Sequence, residues 1–261
     1  MSNDILSNRE LRRYNRQIMI PEIGIEGQEK LKKSKVLVIG AGGLGCPVLQ
    51  YLSACGIGNI AIIDFDIVDE TNLARQALYG ASDLGKLKSI IAKNRLEYLN
   101  PLCEYTVINK KLDSSTSADF IKNYDVIVDA TDHPEARYLI NDACLVTGKP
   151  MVHGAIFKYE SIVSVFNYNG GPSYRKFNPE TIKNDYLNPL PSHVGFFGVL
   201  PGITGTYMAN EVIKIITGSG EVLSGKILLI NIFSNTFTTF TFEEKKEKER
   251  VMQPDDSMVT V

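Results

Sequence analysis

The 261-residue sequence predicts a doubly wound α/β fold, and two observations carry that reading. Apolar runs of strand length alternate with segments of helical period from residue 35 to residue 157, the pattern of consecutive βαβ units. The runs themselves, KVLVIG (35–40), NIAIIDFD (59–66) and YDVIVDAT (124–131), are rich in β-branched residues and nearly uninterrupted, as strands covered on both faces require.

In chain order, residues 8–33 carry apolar positions at helical spacing broken by PEIG at 21–24, so a short helix, a turn and a second helix are expected. After the strand at 35–40, the segment 42–58 has the length and period of a helix, with Gly56 and Gly58 placed to end it. The strand at 59–66 follows. A third strand is expected within 100–112, a helix at 117–123, a fourth strand at 124–131, a helix at 134–148 and a fifth strand at 150–157. Right-handed crossovers then make a parallel, Rossmann-like sheet.

Beyond residue 157 the pattern changes. Residues 160–171 read as a strand running into a turn, and 172–198 form a proline-containing stretch with little periodicity, of a length more typical of functional loops. Residues 202–218 return to a helix whose apolar face belongs to the core, and 226–233 with 236–244 make an antiparallel pair. The expected whole is a mainly parallel sheet extended by C-terminal antiparallel strands. Residues 1–157 hold the N-terminal helices and a nucleotide-binding half. Residues 158–243 hold the crossover loop, helix and antiparallel strands of the same domain on the substrate side, and 244–261 form a charged tail.

Twenty-eight Lys and Arg against 30 Asp and Glu give a net charge of −2, which leaves no broad positive footprint for nucleic acid or anionic membrane. No run approaches the roughly 18 uninterrupted apolar residues of a membrane span, and the start lacks an apolar signal core, so a cytoplasmic location is expected. Cys46, Cys55, Cys103 and Cys144 have no C-x-x-C spacing and read as buried thiols. His133, His153 and His193 have no carboxylate or cysteine at ligand spacing and read as structural or surface residues.

Chemistry concentrates at the first turn. Gly40, Gly42 and Gly45 match G-x-G-x-x-G, with Gly43 in addition, between a strand and a helix whose N-terminus can receive phosphate. Asp64, about twenty residues on, can accept from both ribose hydroxyls. This set serves NAD, FAD or ATP equally. Attack at phosphorus further needs cations around the developing charge, and Asn72, Arg75, Gln76 and Lys88 supply such a set just past the second strand. Asp132 lies at the carboxyl end of the fourth strand, where strand ends share one crevice. In the 172–198 stretch, Tyr174, Arg175 and Lys176 are placed to guide an anionic substrate tail. Each residue also has a plainer use: Arg75 and Lys88 as solvated charges, Arg16 paired with a carboxylate on its own helix, Asp132 as a helix cap, Gln76 bonded to nearby backbone, Tyr174, Arg175 and Lys176 as loop surface.

RYNRQI, VLVIGAGGLGCPVLQYL, IIDFDIVDETNLARQ, LGKLKS and DATDHPEAR, in this order, resemble the MoeB/ThiF/HesA family of ubiquitin-activating-enzyme-like adenylyltransferases. The resemblance covers roughly residues 10–235. It implies ATP and Mg²⁺, a small ubiquitin-like sulfur-carrier protein or a peptide whose C-terminal carboxylate is adenylated, and a homodimer. Asp64 would hold the ribose, the Gly40 to Gly45 turn would lie against the phosphates, Asn72 and Arg75 would engage the β- and γ-phosphates, and Lys88 would approach the α-phosphate. Asp132 would hold the metal, and Arg16 would reach the nucleotide of the neighbouring subunit.

Two departures stand out. Where relatives carry P-C-Y-R-C this sequence reads PSYRK, with Ser173 and Lys176 in the cysteine positions, so no structural zinc is expected. The loop at 188–198 lacks the cysteine that some members use to link the carrier, so the reaction is expected to stop at the acyl-adenylate, and no rhodanese-like domain to supply sulfur is expected. An NAD-dependent oxidoreductase and a non-catalytic nucleotide-binding scaffold remain the rival readings.

Overall fold

The computed structural model describes residues 5–114, 116–179 and 195–242. Among them, strands β1 (Lys35–Ile39), β2 (Asn59–Ile63), β3 (Glu104–Ile108), β4 (Val126–Asp129), β5 (Met151–Phe157), β6 (Glu160–Phe166), β7 (Lys226–Asn231) and β8 (Thr236–Thr241) form one sheet. Their order is β3-β2-β1-β4-β5-β6-β7-β8. Pairing is parallel from β3 to β5 and antiparallel from β5 to β8, as expected of a mainly parallel sheet with an antiparallel extension. The strand order reverses between β1 and β4, so the crevice at their carboxyl ends is the switch point where open α/β sheets bind ligands.

The uninterrupted apolar runs are explained by two core layers. Val36 and Val38 of β1, Ile60 and Ile62 of β2 and Val126 and Val128 of β4 face one layer, while Leu37, Ile39, Ala61, Ile63 and Ile127 face the other. The first layer packs against α4 (Gly45–Cys55), α5 (Lys88–Leu99) and α9 (Leu200–Thr217), the second against α6 (Ser117–Ile121), α7 (Pro134–Thr147) and α8 (Tyr174–Phe177). The expected core face of α9 is there: Met208, Ala209 and Val212 are buried in the first layer. α4, α7 and α9 each end on a left-handed glycine, Gly56, Gly148 and Gly218.

Several boundaries differ from the sequence expectation. Residues 8–33 form three helices, α1 (Asn8–Arg13), α2 (Asn15–Ile18) and α3 (Gly24–Lys33), because Tyr14 leaves the helix to bury its ring and accept a hydrogen bond from Asn100 at 2.9 Å. α5 has no counterpart in the expected elements. β2 stops at Ile63 because Asp64 turns its carboxylate onto backbone N–H groups. The 172–198 stretch is not all loop: Ser173 N-caps α8, Tyr174 is buried against Phe166, Phe177 and Tyr138, and Arg175 pairs with Asp142 at 2.6 Å. Tyr174 is therefore an anchor in the core and no guide for a substrate tail. Cys46, Cys103 and Cys144 are buried and Cys55 half-buried, as expected, and burial pushes the Cys46 thiol up to about 12 and that of Cys55 to about 11. His193 and the 244–261 tail lie outside the described residues, and of the 188–198 loop only 195–198 are described.

Candidate active site

β1 delivers the chain to Gly40, whose φ of +96° suits glycine. A Cβ here would lie 2.6 Å from the Ala130 carbonyl oxygen, and one at Gly45 would lie 2.0 Å from that of Gly40. These two glycines are required by the fold, since they let β1, the turn and β4 close on one another. Gly42 and Gly43 are different. The nearest atom to a Cβ at Gly42 is the Gln76 amide nitrogen at 3.6 Å, and at Gly43 it is Pro201 Cβ at 3.2 Å, with Arg75 Cδ at 3.8 Å. The turn therefore leaves room above Gly42 that a ligand can occupy, rimmed by Gln76 and Arg75.

Asp64 braces this turn from β2. One carboxylate oxygen accepts from the Ala41 N–H at 2.7 Å and the other from the Asp66 N–H at 2.8 Å. Burial raises its pKa, opposed by these two N–H groups and by the nearby Lys88 ammonium. Lys88 is the first residue of α5, and its side chain is only 7% exposed, with Asp66 Oδ2 at 3.1 Å. A helix N-terminus repels a cation, so a buried lysine there works against the helix dipole. That placement disposes of the solvated-charge reading of Lys88 and leaves a fixed cation beside the turn.

Arg75 is half-buried. Its Nη1 donates to the Thr71 carbonyl at 2.7 Å, and its guanidinium lies over the Phe196 ring, 5.3 Å from the centroid. Gln76 is buried, and its Oε1 has no hydrogen-bond partner among the described residues. A buried amide oxygen left unpaired costs about 1–3 kcal/mol. Asn72 is half-buried, and its Oδ1 accepts from the Asp69 N–H at 3.3 Å, capping a short 3₁₀ turn.

Asp132 stands one residue beyond Thr131, whose N lies 3.4 Å from a Cβ at Gly40. Its carboxylate is 71% exposed, 3.7 Å from His133, and the N-cap of α7 is His133, with no side-chain cap bond. Asp132 is thus free of the helix-capping role. The structure brings Gly40 to Gly45, Asp64, Arg75, Gln76, Lys88 and Asp132 to one sheet mouth. Arg16 is elsewhere.

Arg16 sits exposed in α2, whose neighbour Gln17 donates to the Cys55 carbonyl at 3.2 Å. Cys55 is the last residue of α4, and Gly45, in the turn, is the first. The 11 residues of α4 put about 15 Å between them. The N-terminal helices also pack at the far end of α9, where Lys30 donates to the Thr217 carbonyl at 2.9 Å. Arg16 thus belongs to the end of the molecule opposite its own glycine turn.

A buried pair below the site escaped sequence reading. Asp129 and His153 are buried, 2.7 Å apart, and Asp129 also accepts from the Thr131 N–H and hydroxyl at 3.1 and 2.6 Å. His153 is structural, as expected, but has a carboxylate partner because β4 and β5 pair in register at these two residues. Burial alone would raise the Asp129 pKa; the His153 hydrogen bond, with Arg137 and Thr131, outweighs it and holds the carboxyl below its usual range. Burial holds the His153 pKa below its usual value. The pair is therefore an aspartate and a neutral imidazole whose Nδ1–H donates.

Three comparisons bear on this site. The signature of the ThiF family matches residues 14–251. The chain is 46% identical over 231 residues to a "Probable molybdopterin-synthase adenylyltransferase" of Porphyra purpurea, covering 88% of this chain and 60% of the relative. It is 41% identical over 237 residues to a "Sulfur carrier protein adenylyltransferase" of Thermus thermophilus, covering 89% and 87%. The first of these relatives is thus spanned for less than two thirds of its length. Among solved structures, E. coli MccB with ATP superposes at a TM-score of 0.78 with 24% identity, covering 94% of this chain and 75% of that one, and shares its fold.

Proposed function

The chain belongs to the ThiF family, and from that premise we propose that it is an ATP- and Mg²⁺-dependent adenylyltransferase. Its acceptor is the C-terminal carboxylate of a small ubiquitin-like sulfur-carrier protein, and pyrophosphate is released. The observation that carries the chemistry is the convergence of a buried lysine, a half-buried arginine and an exposed carboxylate around a glycine turn with open space above it. The Thermus relative, matched over most of both chains, supports the choice of acceptor.

The residues fit the reaction's electrostatics. Carboxylate and triphosphate are both anions, so Lys88 and Arg75 lower the cost of bringing them together and hold charge as the α–β phosphate bond breaks. The incoming carboxylate is ionised at neutral pH, so no base is needed. Gln76 offers its unpaired amide oxygen to a nucleotide donor. Asp64, already fixed by two N–H groups, accepts from the ribose. Asp132 offers the hard carboxylate oxygen that Mg²⁺ prefers, and the metal when bound neutralises charge on the departing pyrophosphate. Burial raises all four thiols, Cys55 to about 11 and Cys46 to about 12, so cysteine chemistry is disfavoured, in keeping with a reaction that ends at the adenylate.

The glycine turn supplies one test. Gly42→Val should fold with an unchanged thermal midpoint yet bind ATP at least about tenfold more weakly, because its side chain takes the ligand's space. Gly45→Ala should fail to fold, because its Cβ would overlap the Gly40 carbonyl at 2.0 Å. Calorimetry and ATP titration separate the two.

Arg16 supplies another. In a homodimer in which it acts across subunits, mixing inactive Arg16→Ala with inactive Asp132→Ala restores activity at about one site in four, whereas action within one subunit restores none.

The function itself is tested by ATP–pyrophosphate exchange with three acceptors: a carrier ending in Gly-Gly, the same carrier amidated at its C-terminus, and a short peptide. Exchange with the first alone is expected. Exchange only with the peptide moves the assignment to a peptide-adenylating enzyme, and reduction of NAD without ATP consumption moves it to an oxidoreductase.

A further inference from the structure

We propose that Phe196 is a positioning residue for the phosphate site: its ring holds the Arg75 guanidinium above the Gly42–Gly43 turn, so seating of residues 195–199 is part of assembling that site. The inference rests on the reading of Arg75 as a triphosphate ligand. Arg75 is caught between two surfaces. Its Cδ lies 3.8 Å from where a Cβ at Gly43 would be, and its guanidinium lies over the Phe196 ring at 5.3 Å, with Nη1 tied to the Thr71 carbonyl at 2.7 Å. A ring face attracts a guanidinium through its quadrupole while leaving the in-plane N–H groups available for phosphate oxygens.

The segment that carries Phe196 is fastened on both sides. Gly198 presses against the residue before Arg75, since a Cβ there would lie 2.6 Å from the Ala74 carbonyl oxygen. The Phe197 N–H donates at 3.1 Å to the carbonyl of Lys158, in the β5–β6 turn. Residues 195–199 therefore bridge the phosphate-binding loop and the hairpin that begins the antiparallel side of the sheet. Through Phe196, the position of a cation in the nucleotide site depends on a segment built from the other half of the fold.

The test is a double-mutant cycle read by ATP titration in the presence of Mg²⁺. Arg75→Ala should weaken ATP binding by about tenfold or more, Phe196→Leu by about fivefold, and Phe196→Tyr should restore the wild-type value. In the Arg75→Ala background, Phe196→Leu should cost nothing further. An equal loss in both backgrounds makes Phe196 merely structural and overturns the inference while sparing the role of Arg75. Unchanged affinity in Arg75→Ala overturns both. If Phe196→Leu does not fold, pentafluorophenylalanine at position 196 keeps the shape and inverts the quadrupole. A loss of about fivefold then supports the inference, and wild-type affinity overturns it.

Discussion

Lys88→Ala is expected to lower ATP–pyrophosphate exchange by about 10²–10³-fold, the typical cost of deleting one preorganised group that meets developing charge. The chain folds a cation into a place that does not favour one: the first position of α5, 7% exposed, with Asp66, whose own side chain is 55% exposed, as its one salt-bridge partner among the described residues. A pair of this kind contributes at most about 1 kcal/mol to stability. The thermal midpoint should therefore shift by only a few degrees while activity collapses. Lys88→Met, which keeps the length of the side chain but not its charge, should behave as alanine does. Near-normal exchange in either variant contradicts the role assigned to this ammonium group.

Asp129→Ala is expected to destabilise the fold by about 3–5 kcal/mol, because it leaves His153 buried without its acceptor and frees the donors of Thr131. His153→Ala should cost a similar amount by stranding the carboxylate. Asp129→Leu combined with His153→Phe should cost less than the sum of the two single losses, since no charge is then stranded. The pair also sets a pH dependence. The folded pKa of His153 lies below its unfolded value of 6.5, so the unfolded chain takes up the proton first. Stability from this neutral imidazole is full above that value and declines as pH falls below it. Asp129, also lowered, adds a further loss as pH falls through and below its ordinary value of 3.8. Denaturant midpoints at pH 8 and pH 5.5 should differ in the wild type and differ less in His153→Gln; equal midpoints in the wild type contradict the assigned protonation states.

The parallel half of the fold was legible because its strands are covered on both faces. β1, β2 and β4 supply both core layers, and the alternation of their layers is what an unbroken apolar run looks like from inside. α5 was not legible for the opposite reason. It buries Lys88 and Ser89 while leaving Ile90, Tyr98 and Leu99 exposed, so its apolar residues mark no single face. The candidate site was readable where its residues are local to a turn or a strand end, as with Gly40 to Gly45, Asp64 and Asp132. Asp129 and His153 are 24 positions apart and meet only through the register of β4 with β5. Phe196 reaches Arg75 from a stretch without periodicity, so no spacing rule could have joined them. Arg16, read from resemblance, became spatially intelligible only once α2 was seen anchored at the far end of α4.

Intact-mass measurement of a Gly-Gly-ended carrier after incubation with the protein, ATP and Mg²⁺ addresses the assigned chemistry most directly. The account predicts a carrier heavier by one adenylyl group, AMP less water, formed by the wild type and not by the Lys88→Ala or Asp132→Ala variants. A carrier of unchanged mass, in a mixture where ATP is bound and the fold is intact, contradicts it.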